Sequence, residues 1–366
     1  MSSTKLPSLK IGELEAKIPI IQGGMSVGIS LSGLAAAVAN EGGIGVIGTA
    51  GVGMLEPDFS KNFIEANNRI LRKEIRKARE TTKGIIGVNF LMALSNLDEF
   101  TEVAIDEGID LIFLGAGLPL KSPKTLPFKD LSKISTKIVP IVSSARAAKI
   151  IFQYWAKEYN YLPDAVVVEG PLAGGHLGFK KEQIENPDYA LEKILPEVIS
   201  VIKLFEKQFN KNIPVIAAGG IYTGADIYKF IQMGAQGVQM ATRFVTTYEC
   251  DASIKFKEMY LQSKKEDLII IDSPVGLPGR AIKNQFLEDV SKGIKKPIRC
   301  PWKCLKTCAF TEAPYCIGLA LTNAKLGKID EGFCFAGANA YRADKIISVK
   351  ELIDSLLAEY EAASHS

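Results

Sequence analysis

The chain contains two histidines, and one of them, His365, lies in the last two residues of the sequence. The other, His176, follows Ala173-Gly174-Gly175 shortly after an apolar run that ends in Glu169. An imidazole titrates near neutral pH and can therefore accept or donate a proton under physiological conditions. A lone histidine is commonly a structural residue, but this one lies on a glycine-rich loop and not on an apolar face. We therefore predict that His176 is catalytic.

A second group of residues could bind a phosphate. Gly219 and Gly220 follow one apolar run, and the next such run continues as Gln239-Met240-Ala241-Thr242. Glycine lets the backbone approach an anion closely, and backbone amides bind it without a positive side chain. The alternative is that the glycines serve only tight turns. Their occurrence in two successive loops favours a phosphate site.

Polar residues at the ends of other apolar runs could bind a ring system. Asn89 and Glu169 each end a run, on strands we expect to be neighbours, and Met25 follows Gln22-Gly23-Gly24. An amide and a carboxylate can hydrogen-bond the polar edge of a planar heterocycle, while methionine covers its face. Either polar residue alone could simply end a strand. Together with the phosphate loops, they predict a pocket for flavin mononucleotide (FMN).

Four of the six cysteines crowd together near the C-terminus, at Cys300, Cys304, Cys308 and Cys316. Six cysteines are too few for a disulfide scaffold in a chain of this length. Thiolates at short spacing can hold an iron–sulfur cluster or zinc, although the common motifs for both use two-residue gaps. An iron–sulfur cluster, a zinc ion and simple free thiols all stay open.

The elements that would position these residues are repeated βα units, because short apolar runs alternate with amphipathic segments. We predict strands at 18–21, 43–47, 85–89, 111–114, 138–142, 165–169, 214–217 and 237–240, and helices at 31–41, 61–82, 145–159, 191–209, 223–233 and 349–363. Eight parallel strands close a (β/α)8 TIM barrel, whose active site lies at the carboxyl ends of the strands. An open doubly wound sheet is the less favoured alternative.

The alternation stops after Met240, and no linker or low-complexity tract follows. We expect an FMN-binding barrel domain at 14–290 and a cysteine-containing C-terminal extension at 291–366 packed on it.

Charge and hydropathy exclude several classes of protein. Lysines and arginines number 44 against 41 acidic residues, so there is no general positive field for nucleic acid. No apolar run reaches the roughly 20 residues that span a bilayer, and the N-terminus lacks a signal-peptide core. We expect a cytoplasmic enzyme with a small-molecule substrate. The oligomeric state stays open, a homodimer included.

Five motifs give the chain a specific likeness to a known family. They lie at 19–25, 87–90, 169–176, 214–221 and 239–244, and within 14–290 the chain resembles the nitronate monooxygenase family and its relatives, the flavin-dependent enoyl-acyl-carrier-protein reductases. The resemblance implies FMN contacts and a catalytic His176. The implied contacts are Met25, Asn89, Glu169, Gly174, Gly219, Gly220, Gln239, Met240, Ala241 and Thr242.

The sequence departs from the family at three positions within these motifs. Leu172 stands where the family often has glutamate, Glu169 where the monooxygenases often have glutamine, and Ala241 where glycine is usual. The turn at 22–25, Glu169-Gly170 and the stretch 280–285 look closer to the reductases, whereas the cysteine stretch has no counterpart there.

The expected function is FMN-dependent oxidation of alkyl nitronates. The alternative is an NAD(P)H-dependent enoyl-acyl-carrier-protein reductase, in which case the basic residues of segment 61–82 could dock the acidic carrier protein instead of forming a solvated face. A barrel that binds a phosphate without a flavin is the alternative from another class, because a fold does not fix a function.

Overall fold

The computed structural model describes residues 6–120, 134–294, 296, 300 and 302–365. Its strands are β1 (Leu9–Ile11), β2 (Leu14–Ala16), β3 (Ile20–Gln22), β4 (Ile44–Gly48), β5 (Ile85–Leu91), β6 (Leu111–Gly115), β7 (Lys137–Val142), β8 (Val166–Glu169), β9 (Gly175–His176), β10 (Val215–Ala218), β11 (Gly237–Met240), β12 (Leu268–Asp272) and β13 (Pro278–Ile282).

Its helices alternate with the strands through most of the chain. They are α1 (Ser32–Asn40), α2 (Phe63–Thr81), α3 (Leu97–Asp106), α4 (Ala145–Tyr159), α5 (Lys181–Ile184), α6 (Leu191–Phe209), α7 (Gly224–Gln232), α8 (Thr242–Val245), α9 (Ile254–Gln262), α10 (Gln285–Ser291), α11 (Ile317–Lys325) and α12 (Val349–Ser364). None of the described helices is both long and apolar enough to cross a membrane.

Eight strands close a parallel barrel in the order β3, β4, β5, β6, β7, β8, β10, β11. Each of them coincides with one of the eight strands predicted from apolar runs, so the TIM-barrel prediction is confirmed. Nearly every residue of these strands is apolar, because both faces of each strand are covered by other parts of the protein. One face contacts the barrel interior, where Ile21, Val46 and Phe113 lie, and the other contacts the outer helices.

The six predicted helices correspond to α1, α2, α4, α6, α7 and α12. The last of these, α12, packs against α7 and also contacts α1. It thereby occupies the position of an eighth outer helix, although about a hundred residues separate it from β11. These residues, 246–348, form an insertion that includes the β12–β13 hairpin and reaches the carboxyl ends of the strands.

Candidate active site

The backbone of His176 is fixed by the insertion. Strand β9 pairs antiparallel with β13, with His176 opposite Gly279 and Gly175 opposite Arg280. The Arg280 guanidinium is buried, and its Nη1 donates to the carbonyl oxygens of Pro171 at 2.6 Å and Ala173 at 2.8 Å. These two bonds hold the loop between β8 and β9, and therefore the position from which the imidazole projects.

The imidazole itself is held by two residues of the insertion. Its Nε2 lies 2.7 Å from the hydroxyl of Ser273, and its ring packs edge-on against Phe335 with centroids 5.0 Å apart. The Ser273 hydroxyl also accepts the N–H of Val275 at 3.4 Å. Within the described part of the chain Nδ1 has no hydrogen-bond partner, so it is the ring nitrogen left for a substrate.

Burial determines the charge of this histidine. Desolvation lowers the pKa of His176 to about 4, because the surrounding protein solvates the imidazolium less well than water does. The side chain is therefore neutral at pH 7 in the ligand-free protein. A neutral imidazole has one nitrogen able to accept a proton and one able to donate a hydrogen bond.

Glu169 and Asn89 both lie at the carboxyl ends of barrel strands, as predicted, but not on neighbouring ones. Glu169 ends β8 and Asn89 lies in β5, and β6 and β7 stand between them. The expectation of adjacency was wrong because two further βα units separate these strands in the chain, and consecutive strands of this barrel pair with each other. The two side chains therefore reach the barrel mouth from different sides.

Desolvation also acts on Glu169, and it raises the pKa of this carboxyl to about 7. Its side chain has no hydrogen-bond partner among the described residues. A carboxyl with such a pKa is partly protonated at neutral pH and can either donate or accept a hydrogen bond.

The loop after β3 passes directly over Asn89. A Cβ added at Gly24 would lie 2.6 Å from the Cβ of Asn89, so only glycine permits this approach. The loop is tied to β11, since the N–H of Gly23 donates to the carbonyl of Met240 at 2.8 Å. Met25 follows this turn, and its partly buried side chain packs against the hydrophobic core.

The proposed phosphate loops carry unpaired backbone donors. Gly219 and Gly220 have φ of +91° and +86°, a left-handed conformation that glycine adopts without strain. In the described structure the N–H groups of Gly219, Gly220, Ile221 and Ala241 donate to no protein acceptor. The first N–H groups of α8, which begins at Thr242, also lack an intrahelical partner.

Two of the implied cofactor residues contribute less than expected. The side chain of Met240 is buried in the hydrophobic core, and its carbonyl already accepts from Gly23, so it supports the loop and has little left for a ligand. Gly174 faces the backbone of the insertion, since a Cβ added there would lie 2.5 Å from the nitrogen of Gly337. Gln239 lies beside Gly23, with its side-chain amide unpaired among the described residues.

The cysteine stretch lies beside the loop after β5. The carbonyl of Cys304 accepts the N–H of Ser95 at 3.0 Å. Burial, followed by the nearby thiols of Cys316, Cys300 and Cys308, raises the pKa of Cys304 to about 12. All are free cysteines, and across the residues described no three His, Cys, Asp or Glu side chains are arranged to hold a metal ion. The four thiols lie near one another, and the iron–sulfur cluster stays a prediction.

Ser273, Phe335 and Asn339 were missed by the sequence analysis. Ser273 lies in the turn between β12 and β13, and the other two lie in an irregular stretch before α12. None of them belongs to a motif or a periodic pattern that would have singled it out.

Comparison with known proteins decides the family. A model of the nitronate monooxygenase family matches residues 8–359, which include both the barrel and the insertion. The chain belongs to the nitronate monooxygenase family. As a member of this family it is an oxidoreductase enzyme, and the TIM-barrel geometry described above is its scaffold.

Individual relatives agree with this assignment. A probable nitronate monooxygenase of Staphylococcus aureus (strain Newman) is 30% identical over 307 residues, covering 76% of this nitronate monooxygenase family member and 79% of the relative. The structure of FabK from Thermotoga maritima superposes with a TM-score of 0.71 at 28% identity, covering 95% of this chain and 94% of that one. A nitroalkane oxidase from Streptomyces ansochromogenes shares the fold, with a TM-score of 0.72 at 21% identity over 95% of this chain and 97% of that one.

Proposed function

We propose that the protein is an FMN-dependent oxidoreductase that oxidises alkyl nitronates, with His176 as the residue that exchanges a proton with the substrate. The observation that carries this proposal is the state of His176. Its imidazole is neutral, anchored at Nε2 by Ser273 and unpaired at Nδ1, at the carboxyl end of a barrel strand where active sites of this fold lie.

The residues present fit FMN. The free N–H groups of Gly219, Gly220, Ile221 and Ala241, with the hydroxyl of Thr242, would bind the phosphate. Asn89 and Glu169 would hydrogen-bond the polar edge of the ring, with Met25 against its face. When bound, FMN would supply the redox chemistry.

The protein's own contribution is to position the substrate and to move a proton. A nitroalkane has an acidic proton on the carbon next to the nitro group, and the neutral His176 could accept that proton at Nδ1, which would give the nitronate and a protonated imidazole. A nitronate supplied as such has already lost this proton, and Nδ1 in its N–H tautomer could then donate a hydrogen bond to a nitronate oxygen. Ser273 holds the ring at Nε2 while this occurs. Phe335 and the rest of the insertion keep water from the imidazole, which preserves its low pKa.

An anaerobic reduction experiment tests the proposal. FMN-loaded protein is mixed in turn with an alkyl nitronate, NADH and NADPH, and the flavin absorbance is followed. Reduction by the nitronate alone is the expected result. A protein that cannot be loaded with FMN would instead support a phosphate-binding barrel without a flavin.

A second candidate is an NAD(P)H-dependent enoyl-acyl-carrier-protein reductase. The buried Arg280, which clamps the loop before His176, belongs to the stretch that looks closer to the reductases. A docking site for an acidic carrier protein needs free cations. On α2 the arginines Arg69, Arg72 and Arg76 are paired with Glu56, Asp58 and Glu107, which weakens this candidate, whereas Lys73 and Lys77 have no ion pair among the described residues. Reduction of the flavin by NADH or NADPH would favour this candidate.

A further inference from the structure

Five residues of the insertion, Phe335–Asn339, lie across the loops that carry the candidate site. We call them the 335–339 segment. Three hydrogen bonds hold it. The N–H of Ala336 donates to the carbonyl of Arg280, and the N–H of Ala338 donates to the carbonyl of Leu172, both at 3.1 Å. The Tyr260 hydroxyl donates to the carbonyl of Phe335 at 2.6 Å. Its course over the mouth is therefore fixed.

One end of the segment meets the histidine and the other meets the phosphate loops. Phe335 packs against the His176 ring. At the far end, the side-chain amide of Asn339 donates to the carbonyl of Gly220 at 2.7 Å. In a trans peptide the carbonyl and the N–H point in opposite directions, so this bond also fixes the direction of the free N–H of Ile221.

The middle of the segment lies against the threonine of the other phosphate loop. A Cβ added at Gly337 would lie 2.5 Å from the Thr242 hydroxyl oxygen, so this hydroxyl has room only because residue 337 is glycine. The opposite glycine, Gly174, also approaches Gly337 too closely to carry a side chain. The segment therefore packs between these two loops so closely that neither glycine could carry a side chain.

We propose that the 335–339 segment is the third wall of the FMN phosphate site, with Asn339 and Gly337 as positioning residues. Asn339 orients the Gly220–Ile221 peptide, and Gly337 leaves the Thr242 hydroxyl in place. The inference rests on the proposed FMN function and adds that the insertion, as well as the barrel, determines recognition of the phosphate.

The test compares FMN with riboflavin, which lacks the phosphate. Asn339→Ala and Gly337→Ala should each raise the Kd for FMN roughly tenfold, the effect of losing one good hydrogen bond to a charged group, and leave the Kd for riboflavin unchanged. In a Thr242→Ala background Gly337→Ala should have little further effect, because the group it displaces is already gone. Asn323→Ala, which removes an exposed amide elsewhere in the insertion, is the matched control.

Each outcome is decisive. Equal loss of FMN and riboflavin affinity, or unchanged FMN affinity in Asn339→Ala, would overturn the inference while leaving the FMN function intact. Wild-type protein that binds neither flavin would overturn both. Should Gly337→Ala fail to fold, as judged by circular dichroism, the replacement of the partly buried Asn339 by alanine decides the question by itself.

Discussion

The Nε2 atom of His176 and the hydroxyl of Ser273 lie 2.7 Å apart, although 97 residues separate them in the sequence. One residue comes from the barrel and the other from the insertion before α12. The hydrogen bond therefore joins the scaffold, which provides the residue that we propose exchanges a proton, to the region that holds its ring in place.

Ser273→Ala should lower turnover without loss of FMN. The substitution removes the group that holds Nε2. We expect kcat to fall about tenfold, which corresponds to an increase of about 1.4 kcal/mol in the activation free energy. The apparent pKa in the pH–rate profile should move as well, because the imidazole loses its partner. Ser291→Ala, at an exposed helical position, is the control. An unchanged rate and pH profile would show that the bond has no catalytic role.

The low pKa of His176 predicts a pH dependence of stability in the flavin-free protein. The folded-state pKa, about 4, lies below the ordinary value of 6.5, so the unfolded chain binds the proton first. This residue's contribution is therefore fully present above pH 6.5 and is lost as the pH falls towards 4. We expect denaturant unfolding across this pH range to show that the difference in unfolding free energy between wild type and His176→Gln becomes smaller as the pH falls. Parallel curves would contradict the low pKa.

Glu169 predicts a dependence of the opposite sign. Burial raises its folded-state pKa to about 7 from 4.5, so the folded protein retains a proton that the unfolded chain releases. The stabilisation is present below pH 4.5 and is lost as the pH rises through 7. Relative to Glu169→Gln, which cannot ionise, the flavin-free wild type should lose unfolding free energy over this interval. A difference in unfolding free energy that does not change with pH would contradict the raised pKa of Glu169.

Arg280 should be important for both stability and activity. It is only 6% exposed and donates to two carbonyls, so Arg280→Ala leaves buried acceptors unpaired and should cost roughly 2–4 kcal/mol. Turnover should also fall, because the loop before His176 loses its anchor. Arg69→Ala is the matched control, since its ion pairs are exposed to solvent and should contribute little to stability. Equal effects of the two substitutions on the melting temperature would contradict this role.

The barrel could be predicted from the sequence because each of its strands is a local apolar run, and its glycine-rich loops follow those runs directly. His176 was found for the same reason. Ser273, Phe335 and Asn339 could not be found this way, because their contacts depend on how a long insertion folds back over the mouth. The mistaken adjacency of Asn89 and Glu169 has a different origin: these residues end the third and sixth predicted strands, which are not neighbours in a barrel whose consecutive strands pair.

The most direct test of the account is anaerobic mixing of an alkyl nitronate with FMN-loaded wild type, His176→Ala and His365→Ala. His365 is the other histidine of the chain and lies at the exposed C-terminus, so its removal is the control. We predict rapid loss of flavin absorbance in wild type and His365→Ala, and a rate at least a hundredfold lower in His176→Ala, within the range of roughly 10²–10³ typical of removing one hydrogen-bond donor to a negatively charged oxygen. Equal rates in all three proteins, or reduction by NADH or NADPH but not by the nitronate, would contradict the account.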